Sequence, residues 1–365
     1  MATRTAMGSD RALGRRVMPA EWSPHRATWL AWPHHASDWP GKLSSIHWVY
    51  VELVRYLSVG ERVAIVFQTT ADERRAMSRL TRSGVDTTRV ECYQIPTDRS
   101  WIRDSGGTFI YAPTQEGVSE VTLIDWHFNG WAKYDNWYLD DRLPHRIAAT
   151  RRLPRVVPRA QGLNRPVVLE GGAIDVNGLG AALATEQCLL DDTIQARNPR
   201  LSGPGLERAL RDYLGITTLI WLGQGIAGDD THGHVDDIAR FVGPRTVVAA
   251  VETDPSDANH DALADNLQRL RAARVEGEPL TVVSLPMPQP LWHGAQRLPA
   301  SYLNFYIANA VVLVPTFNDP ADRVALTILA DLFPSRTVIG IHAVDLVLGL
   351  GTVHCSTLQE PAAES

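Results

Sequence analysis

Residues 349–355 read Gly-Leu-Gly-Thr-Val-His-Cys, and they follow a predicted helix at 321–332 and a predicted strand at 337–341. The helix is predicted from apolar residues spaced three or four apart, and the strand from a short apolar run. Small residues let the backbone approach a ligand closely. A thiol is the strongest side-chain nucleophile near neutral pH once its pKa is lowered, so Cys355 is a candidate nucleophile. A buried structural thiol is the alternative.

The order of helix, strand and turn recurs five times along the chain, without obvious sequence identity between the copies. The five predicted helices cover 71–83, 143–152, 206–214, 260–273 and 321–332. Repeated units of this kind usually close into a ring or stack into an array. If they close around an axis, the turns converge, and four of the five turns carry a charged or reactive residue. These residues are Asp104, Glu170, His234, Asp236 and Cys355.

Composition excludes several classes of function. The chain has 365 residues and a formal net charge of -6, which does not favour nucleic acid or an anionic membrane as partner. Three cysteines argue against a disulfide framework, so we expect a cytoplasmic protein. Residues 1–17 contain arginines but no apolar segment, and we expect a frayed extension there rather than a secretory signal. Residues 18–361 then form one catalytic domain, and 362–365 form a tail.

The candidate residues favour a particular chemistry if they meet. A thiol and an imidazole with an orienting carboxylate make a covalent hydrolase. Further carboxylates would raise the pKa of the thiol by repulsion, which makes sense only if the substrate is itself a cation. A guanidinium group is planar, permanently charged and rich in N–H donors, and two carboxylates can hold it by paired hydrogen bonds. Its central carbon is then open to attack by the thiolate.

Other interpretations of these residues remain open. Asp104 could form a local ion pair or a turn, and Glu170 could accept backbone hydrogen bonds. His232 and His234, followed by Asp236, have the spacing of metal ligands, so a metal-dependent amidohydrolase is an alternative. A binder of cationic amines without turnover is another. Apolar residues surround the two remaining thiols, Cys92 and Cys188, and we expect both to lie in the core.

Several longer motifs appear in order between Met18 and Pro361. They are Met-Pro-Ala-Glu-Trp at 18–22, Trp-Ile-Arg-Asp at 101–104, Phe-Asn-Gly-Trp at 128–131, Leu-Glu-Gly-Gly at 169–172, Asp-Thr-His-Gly-His-Val-Asp at 230–236, Asn-Phe-Tyr-Ile-Ala-Asn at 304–309 and His-Cys at 354–355. With these motifs the chain resembles the agmatine deiminase family, a branch of the guanidino-group-modifying (pentein) superfamily. The resemblance implies an α/β fold, a five-bladed propeller of ββαβ modules around a pseudo-fivefold axis.

The resemblance also implies roles for the candidate residues. Cys355 would be the nucleophile, and His234, with Glu170 beside it, the general acid and base. Asp104 and Asp236 would hold the guanidinium group. The expected substrate is a small cationic guanidine, agmatine first, with a peptidyl-arginine or free-arginine deiminase of the same mechanism as the alternative. No metal or organic cofactor is expected, and the only protein partner expected is a second copy in a homodimer.

This sequence departs from the common family pattern in a loop that we expect to contact the tail of the substrate. Residues 131–137, Trp-Ala-Lys-Tyr-Asp-Asn-Trp, replace a more glycine-rich loop. Loops around the rim of such a pocket select the substrate tail. Asp230 is the candidate partner for a distal ammonium group, since a cation requires a carboxylate, and Trp101 is the candidate wall for an alkyl chain. A turn residue and a core residue, respectively, are the alternatives.

Overall fold

The fold is seen in a computed structural model, which describes residues 16–114, 118–160 and 165–363. The helices are α1 (Leu43–Gly60), α2 (Thr70–Arg82), α3 (Ile102–Ser105), α4 (Leu143–Arg151), α5 (Glu186–Leu190), α6 (Gly203–Leu214), α7 (His260–Ala272) and α8 (Pro320–Leu332). The strands are β1 (His25–Ala31), β2 (Arg62–Phe67), β3 (Val90–Gln94), β4 (Thr108–Pro113), β5 (Ser119–Ile124), β6 (Arg155–Val156), β7 (Asp175–Val176), β8 (Ala181–Thr185), β9 (Thr218–Leu222), β10 (Ala239–Gly243), β11 (Thr246–Val251), β12 (Arg274–Val275), β13 (Glu278–Pro279), β14 (Thr281–Pro286), β15 (Trp292–His293), β16 (Gln296–Arg297), β17 (Tyr306–Ile307), β18 (Val311–Thr316), β19 (Thr337–His342) and β20 (Leu358–Pro361). The protein is therefore a mixed α/β protein.

One sheet pattern is repeated along the chain. In the sheets β4-β5-β6, β7-β8-β9, β10-β11-β14 and β17-β18-β19, the first two strands are antiparallel and the last two are parallel. A parallel pair needs a crossover connection, and in each sheet a helix provides it. The sheet β20-β1-β2-β3 has the same pattern with one parallel strand added. Five sheets thus share one architecture.

The predicted helices are confirmed within a few residues, but the predicted unit was incomplete. Four of the sheets contain a central strand, β5, β8, β11 or β18, that the order of helix, strand and turn did not predict. Every residue of β8 is buried. A short run that is buried on both faces shows no alternation, so the sequence pattern does not separate such a strand from its surroundings.

Amphipathic helices cover these sheets. In α1 the buried residues include Ile46, Tyr50, Leu53 and Leu57, spaced three or four apart so that they form one stripe. Capping side chains define where other helices begin. The hydroxyl of Ser202 accepts from the N–H of Gly205 at the start of α6, and a capping box opens α8.

The two ends of the described chain meet in one sheet. β1 and β20 pair antiparallel, with Trp29 opposite Leu358. Val17 exchanges two backbone hydrogen bonds with Tyr111, and the N–H of Ala362 donates to the carbonyl of Pro24. The rest of the predicted extension, residues 1–15, and residues 364–365 of the predicted tail lie outside the described part. None of the described helices has the length and apolar character required to cross a membrane.

Candidate active site

The five connections that lead from one sheet to the next carry the candidate residues. Four of them contain the predicted residues, and the fifth, between β14 and β17, contains an asparagine that the sequence analysis did not assign. The residues are, in chain order, Asp104, Glu170, His234 with Asp236, Asn304 and Cys355. Because equivalent positions of five similar units supply these side chains, the repeat itself brings them together.

Cys355 is buried and has polar neighbours on two sides. The amide nitrogen Nδ2 of Asn304 lies 3.2 Å from its Sγ, and Oδ2 of Asp236 lies 3.9 Å away. Burial raises the pKa of the Cys355 thiol well above its ordinary value, and the carboxylates of Asp236, Asp237 and Asp104 raise it further. The free enzyme therefore holds a neutral thiol, and a bound cation is needed to favour the thiolate.

His234, Asp104 and Asp236 converge on the space beside Gly172. A Cβ at position 172 would lie 2.6 Å from Nδ1 of His234 and 3.0 Å from both Oδ1 of Asp104 and Oδ2 of Asp236. Nδ1 of His234 lies 3.8 Å from Oδ1 of Asp104, too far for a hydrogen bond. Since Asp236 also lies beside the thiol of Cys355, all four predicted groups belong to one cluster.

Replacing Gly172 with alanine tests how tightly this cluster is packed. Gly172→Ala should lower kcat/KM for agmatine, the substrate that the resemblance implies, by roughly 100-fold, because an added methyl group must push His234 or an aspartate away from its position. Steady-state kinetics measure the loss, and circular dichroism should show a folded protein. Gly203→Ala is the matched control, since its Cβ would meet no atom closer than 3.5 Å. Wild-type kinetics in Gly172→Ala would contradict the convergence.

Glu170 supports His234 from the other side of the ring. Its Oε2 lies 3.8 Å from Nε2 of His234, and its Oε1 accepts from Nε of Arg197 at 3.0 Å. Burial alone would raise the pKa of Glu170, but the charge of Arg197 and the imidazole lower it to about 2. Burial likewise opposes the charge on His234, yet Asp104, Cys188 and Glu170 raise its pKa well above the usual value. His234 is therefore protonated at neutral pH and able to act as an acid.

Buried polar atoms without partners mark the centre of the cluster. Within the described residues, both ring nitrogens of His234, Oε2 of Glu170 and Oδ1 of Asp236 are buried and lack a hydrogen-bond partner. An unsatisfied buried acceptor costs about 1–3 kcal/mol, more when it is charged. Both oxygens of Asp104 accept one bond each, from the N–H of Gly172 and from Nε1 of Trp131, and its ion pairs among the described residues include no lysine or arginine. These acceptors suit a ligand that brings several N–H donors and a positive charge.

His354 and Glu21 belong to the same network, and the sequence analysis gave neither a role. Nδ1 of His354 lies 2.6 Å from Oδ2 of Asp236, and Nε2 lies 2.8 Å from Oε2 of Glu21. His354 therefore bridges the two carboxylates. Burial would raise the pKa of Asp236, but His354 holds it below the usual value. Arg103 and Arg240 in turn donate to Glu21.

A signal for these residues was present in the sequence. Glu21 and His354 stand within the motifs at 18–22 and 354–355, and Asn304 begins the motif at 304–309. A polar residue inside an apolar segment must find a partner when it is buried. The identity of that partner could not be inferred, because Glu21 and His354 are 333 positions apart.

His232 does not share the position of His234. Its Nε2 lies 2.9 Å from Oδ2 of Asp191, and it lines a different cavity from that of Cys355. The two imidazoles therefore do not form the pair that the metal-dependent alternative requires. The reason is the backbone, because His232 has a positive φ of 66° and Gly233 one of 95°, which turn the chain between them.

The two other thiols differ from each other. Cys92 is half-buried on β3, and its Sγ lies 3.6 Å from Sδ of Met77, in agreement with a packing role. Cys188 is buried as expected, yet it is not surrounded by apolar groups alone. Its thiol, a carboxylate oxygen of Glu170 and a ring nitrogen of His234 lie within 4.8 Å of one another. Arg197 already neutralises Glu170, which disfavours a further cation at this point.

A cavity of about 280 Å³ leads from Cys355 to the surface. Trp101 and Trp131 line it, together with the backbone of 348–351, so Trp101 lies at the predicted wall position. Asp230 also lines the cavity, but it is already paired. Nζ of Lys133 lies 2.5 Å from its Oδ1, and the hydroxyl of Tyr134 donates to its Oδ2 at 2.6 Å.

A thiol, an imidazole and carboxylates with unsatisfied oxygens around one pocket on this α/β scaffold are typical of hydrolases that attack a cationic carbon centre through a cysteine. The chain belongs to the Porphyromonas-type peptidyl-arginine deiminase family, whose model matches residues 17–361.

Relatives with known names are similar over nearly the whole chain. The agmatine deiminase of Ectopseudomonas mendocina is 33% identical, over 95% of this chain and 96% of its own. Among solved structures, agmatine deiminase of Enterococcus faecalis has a TM-score of 0.85 and 29% identity, covering 96% of both chains. A cysteine-to-serine variant of C. jejuni agmatine deiminase with substrate bound has a TM-score of 0.83 and 27% identity, covering 95% of this chain and 97% of its own.

Proposed function

We propose that this protein hydrolyses agmatine to N-carbamoylputrescine and ammonia. The observation that carries the proposal is the buried cluster of acceptors around Cys355, in which Asp104 has no lysine or arginine partner among the described residues. A guanidinium group supplies the positive charge and the N–H donors that this cluster lacks. The agmatine deiminases named above are similar over the full length, which supports the same substrate here.

The first half of the reaction forms a covalent intermediate. Asp104 and Asp236 hold the guanidinium group, and its charge offsets the repulsion that raises the pKa of Cys355. With the guanidinium group bound, the Cys355 thiol releases its proton to solvent, and the resulting thiolate forms a bond to the guanidino carbon. The bond from that carbon to a terminal nitrogen breaks, and the leaving nitrogen takes a proton from His234, whose pKa is raised. Ammonia departs, and an amidino thioether remains on Cys355.

The second half releases the product. His234, now neutral, accepts a proton from water, and the oxygen forms a bond to the amidino carbon. The carbon–sulfur bond breaks, which returns the thiolate. The remaining hydroxyl proton passes to solvent, which leaves the neutral urea group of the product. Glu170 keeps the imidazole oriented throughout, and Arg197 keeps Glu170 ionised. The chain supplies every group in these steps.

For the arrangement of the sheets we propose a five-bladed α/β propeller. Five sheets share one strand pattern, and the connection after each sheet delivers a residue to one cluster. The pairing of β1 with β20 joins the two ends of the chain in one blade, which is how a closed ring of blades is completed. The deimination site then lies on the central axis.

Assays of the urea group in the product test the proposed function. Agmatine, arginine and an arginyl peptide are each incubated with the protein, and the ureido product is measured by colorimetry. We expect the highest kcat/KM with agmatine. Turnover of the peptide alone would favour a peptidyl-arginine deiminase instead, and no turnover of any of the three guanidines would overturn the proposal.

A further inference from the structure

We propose that Lys133 sets which substrate tails the pocket accepts, because it forms an ion pair with Asp230 at the mouth and makes the mouth electrically neutral. This inference rests on the proposed function, because it concerns the part of a guanidine substrate that lies away from the reacting carbon. A neutral mouth with separated charges suits a zwitterionic tail, such as that of arginine, as well as the amine tail of agmatine.

The ion pair is direct, and both oxygens of the Asp230 carboxylate have a partner. Nζ of Lys133 lies 2.5 Å from Oδ1 of Asp230, while the Tyr134 hydroxyl donates to Oδ2 at 2.6 Å. The backbone carbonyl of Asp230 accepts from Nε2 of Gln195 at 3.0 Å, and this bond holds the backbone of Asp230 in place. An ammonium tail must therefore share Asp230 with a lysine that already neutralises it.

The loop that carries Lys133 is tied to the reaction centre. Trp131 and Ala132 both have positive φ values, 57° and 53°, a conformation that non-glycine residues rarely adopt. The side chain of Asn129 accepts from the N–H of Ala132 at 2.9 Å and supports this turn. The same turn directs Nε1 of Trp131 to Asp104 and the ammonium group of Lys133 to Asp230. Position 133 is thus set by the same contacts that shape the guanidinium site.

The remaining charges at the mouth also cancel. Asp38 pairs with Arg99 at 2.5 Å, and the guanidinium carbon of Arg99 lies 4.3 Å from the centre of the Tyr134 ring. Of the three acids that line the cavity, Asp38 and Asp230 are each matched by a cation, and Asp104 belongs to the cluster around Cys355. The ammonium group of an amine tail binds less strongly at such a mouth than beside an unpaired carboxylate. A carboxylate on the tail, in contrast, can contact Lys133, whose side chain is 40% exposed.

Binding measurements on an inactive background test the inference without depending on turnover. Dissociation constants for agmatine and arginine are measured by calorimetry with Cys355→Ala and with Cys355→Ala carrying Lys133→Met. We expect agmatine to bind more tightly and arginine more weakly after the second change. The ratio of the dissociation constant of arginine to that of agmatine should rise roughly fivefold, because this is the size of effect that one exposed ion pair has on binding. Lys133→Gln, which keeps most of the side chain, should move the ratio in the same direction.

Arg62→Met is the matched control, because Arg62 forms an exposed ion pair with Glu91, 3.4 Å apart, and neither residue lines the cavity. It should leave the ratio unchanged. An unchanged or lower ratio in both Lys133 variants, with both guanidines still bound, would overturn this inference alone. Failure of agmatine to bind to Cys355→Ala would overturn the inference and the proposed function together, whereas failure of arginine alone to bind would overturn only the inference.

Discussion

Cys355→Ser should hydrolyse agmatine at least on the order of 10³-fold more slowly than the wild-type protein, because no covalent intermediate can form at a comparable rate. The hydroxyl is similar in size to the thiol and remains within reach of Asn304, so the pocket should keep its shape. Binding of agmatine should therefore persist while kcat falls. Steady-state kinetics and calorimetry on the same preparation separate the two effects.

Mass spectrometry of acid-quenched wild-type protein adds a direct test of the same step. A reaction stopped during turnover should carry the mass of an amidino adduct on the peptide that contains Cys355. Cys92→Ser is the matched control, since the Cys92 thiol lies half-buried against Met77 on β3. It should keep the adduct and the wild-type rate. An adduct on Cys188 instead, or wild-type turnover by Cys355→Ser, would show that a different nucleophile acts.

The convergence of the turns could be predicted because it follows from repetition. Each unit places a turn after a strand, and the residues at Asp104, Glu170, His234 and Cys355 have side chains that suit one chemistry when they meet. The structure places these side chains in one cluster. The roles assigned to them stay predictions until the kinetics are measured. The repeat did not reveal the role of Asn304, in the turn between β14 and β17, because its amide side chain looked like that of an ordinary polar loop residue.

Long-range pairing explains the rest of what the sequence did not show. Glu170 owes its charge to Arg197 and Asp236 owes its to His354, which lies 118 positions later. Asp230 was expected to bind the distal ammonium group of the substrate, but it is paired with Lys133, 97 positions earlier. Charge and residue type are visible in a sequence, but which charge neutralises which depends on packing. For this reason the reaction at the centre of the site was easier to predict than the substrate preference set by residues at the rim of the cavity.

Asp104→Asn should weaken agmatine binding by about 2–5 kcal/mol, the cost of removing one partner of a buried charge pair. That range corresponds to roughly 30- to 5,000-fold in the dissociation constant. The reason is geometric as well as electrostatic. Oδ1 accepts from the N–H of Gly172 and Oδ2 from Nε1 of Trp131, so an amide nitrogen at either position would face a donor. Calorimetry on the Cys355→Ala background measures the loss without turnover.

The reactivity of the Cys355 thiol gives a second test of Asp104→Asn, and here we expect a gain rather than a loss. Asp104 contributes to raising the pKa of Cys355, after burial and the two other aspartates, so its loss should lower that pKa in the free enzyme. Alkylation of Cys355 by iodoacetamide should then reach a given rate at a lower pH in Asp104→Asn than in the wild-type protein, even though turnover of agmatine falls. Asp319→Asn, which changes a helix-capping carboxylate outside the cavity, should alter neither binding nor alkylation. Wild-type affinity for agmatine in Asp104→Asn would show that this carboxylate does not hold the substrate, since a charge in contact with a buried guanidinium group cannot be removed without a measurable cost.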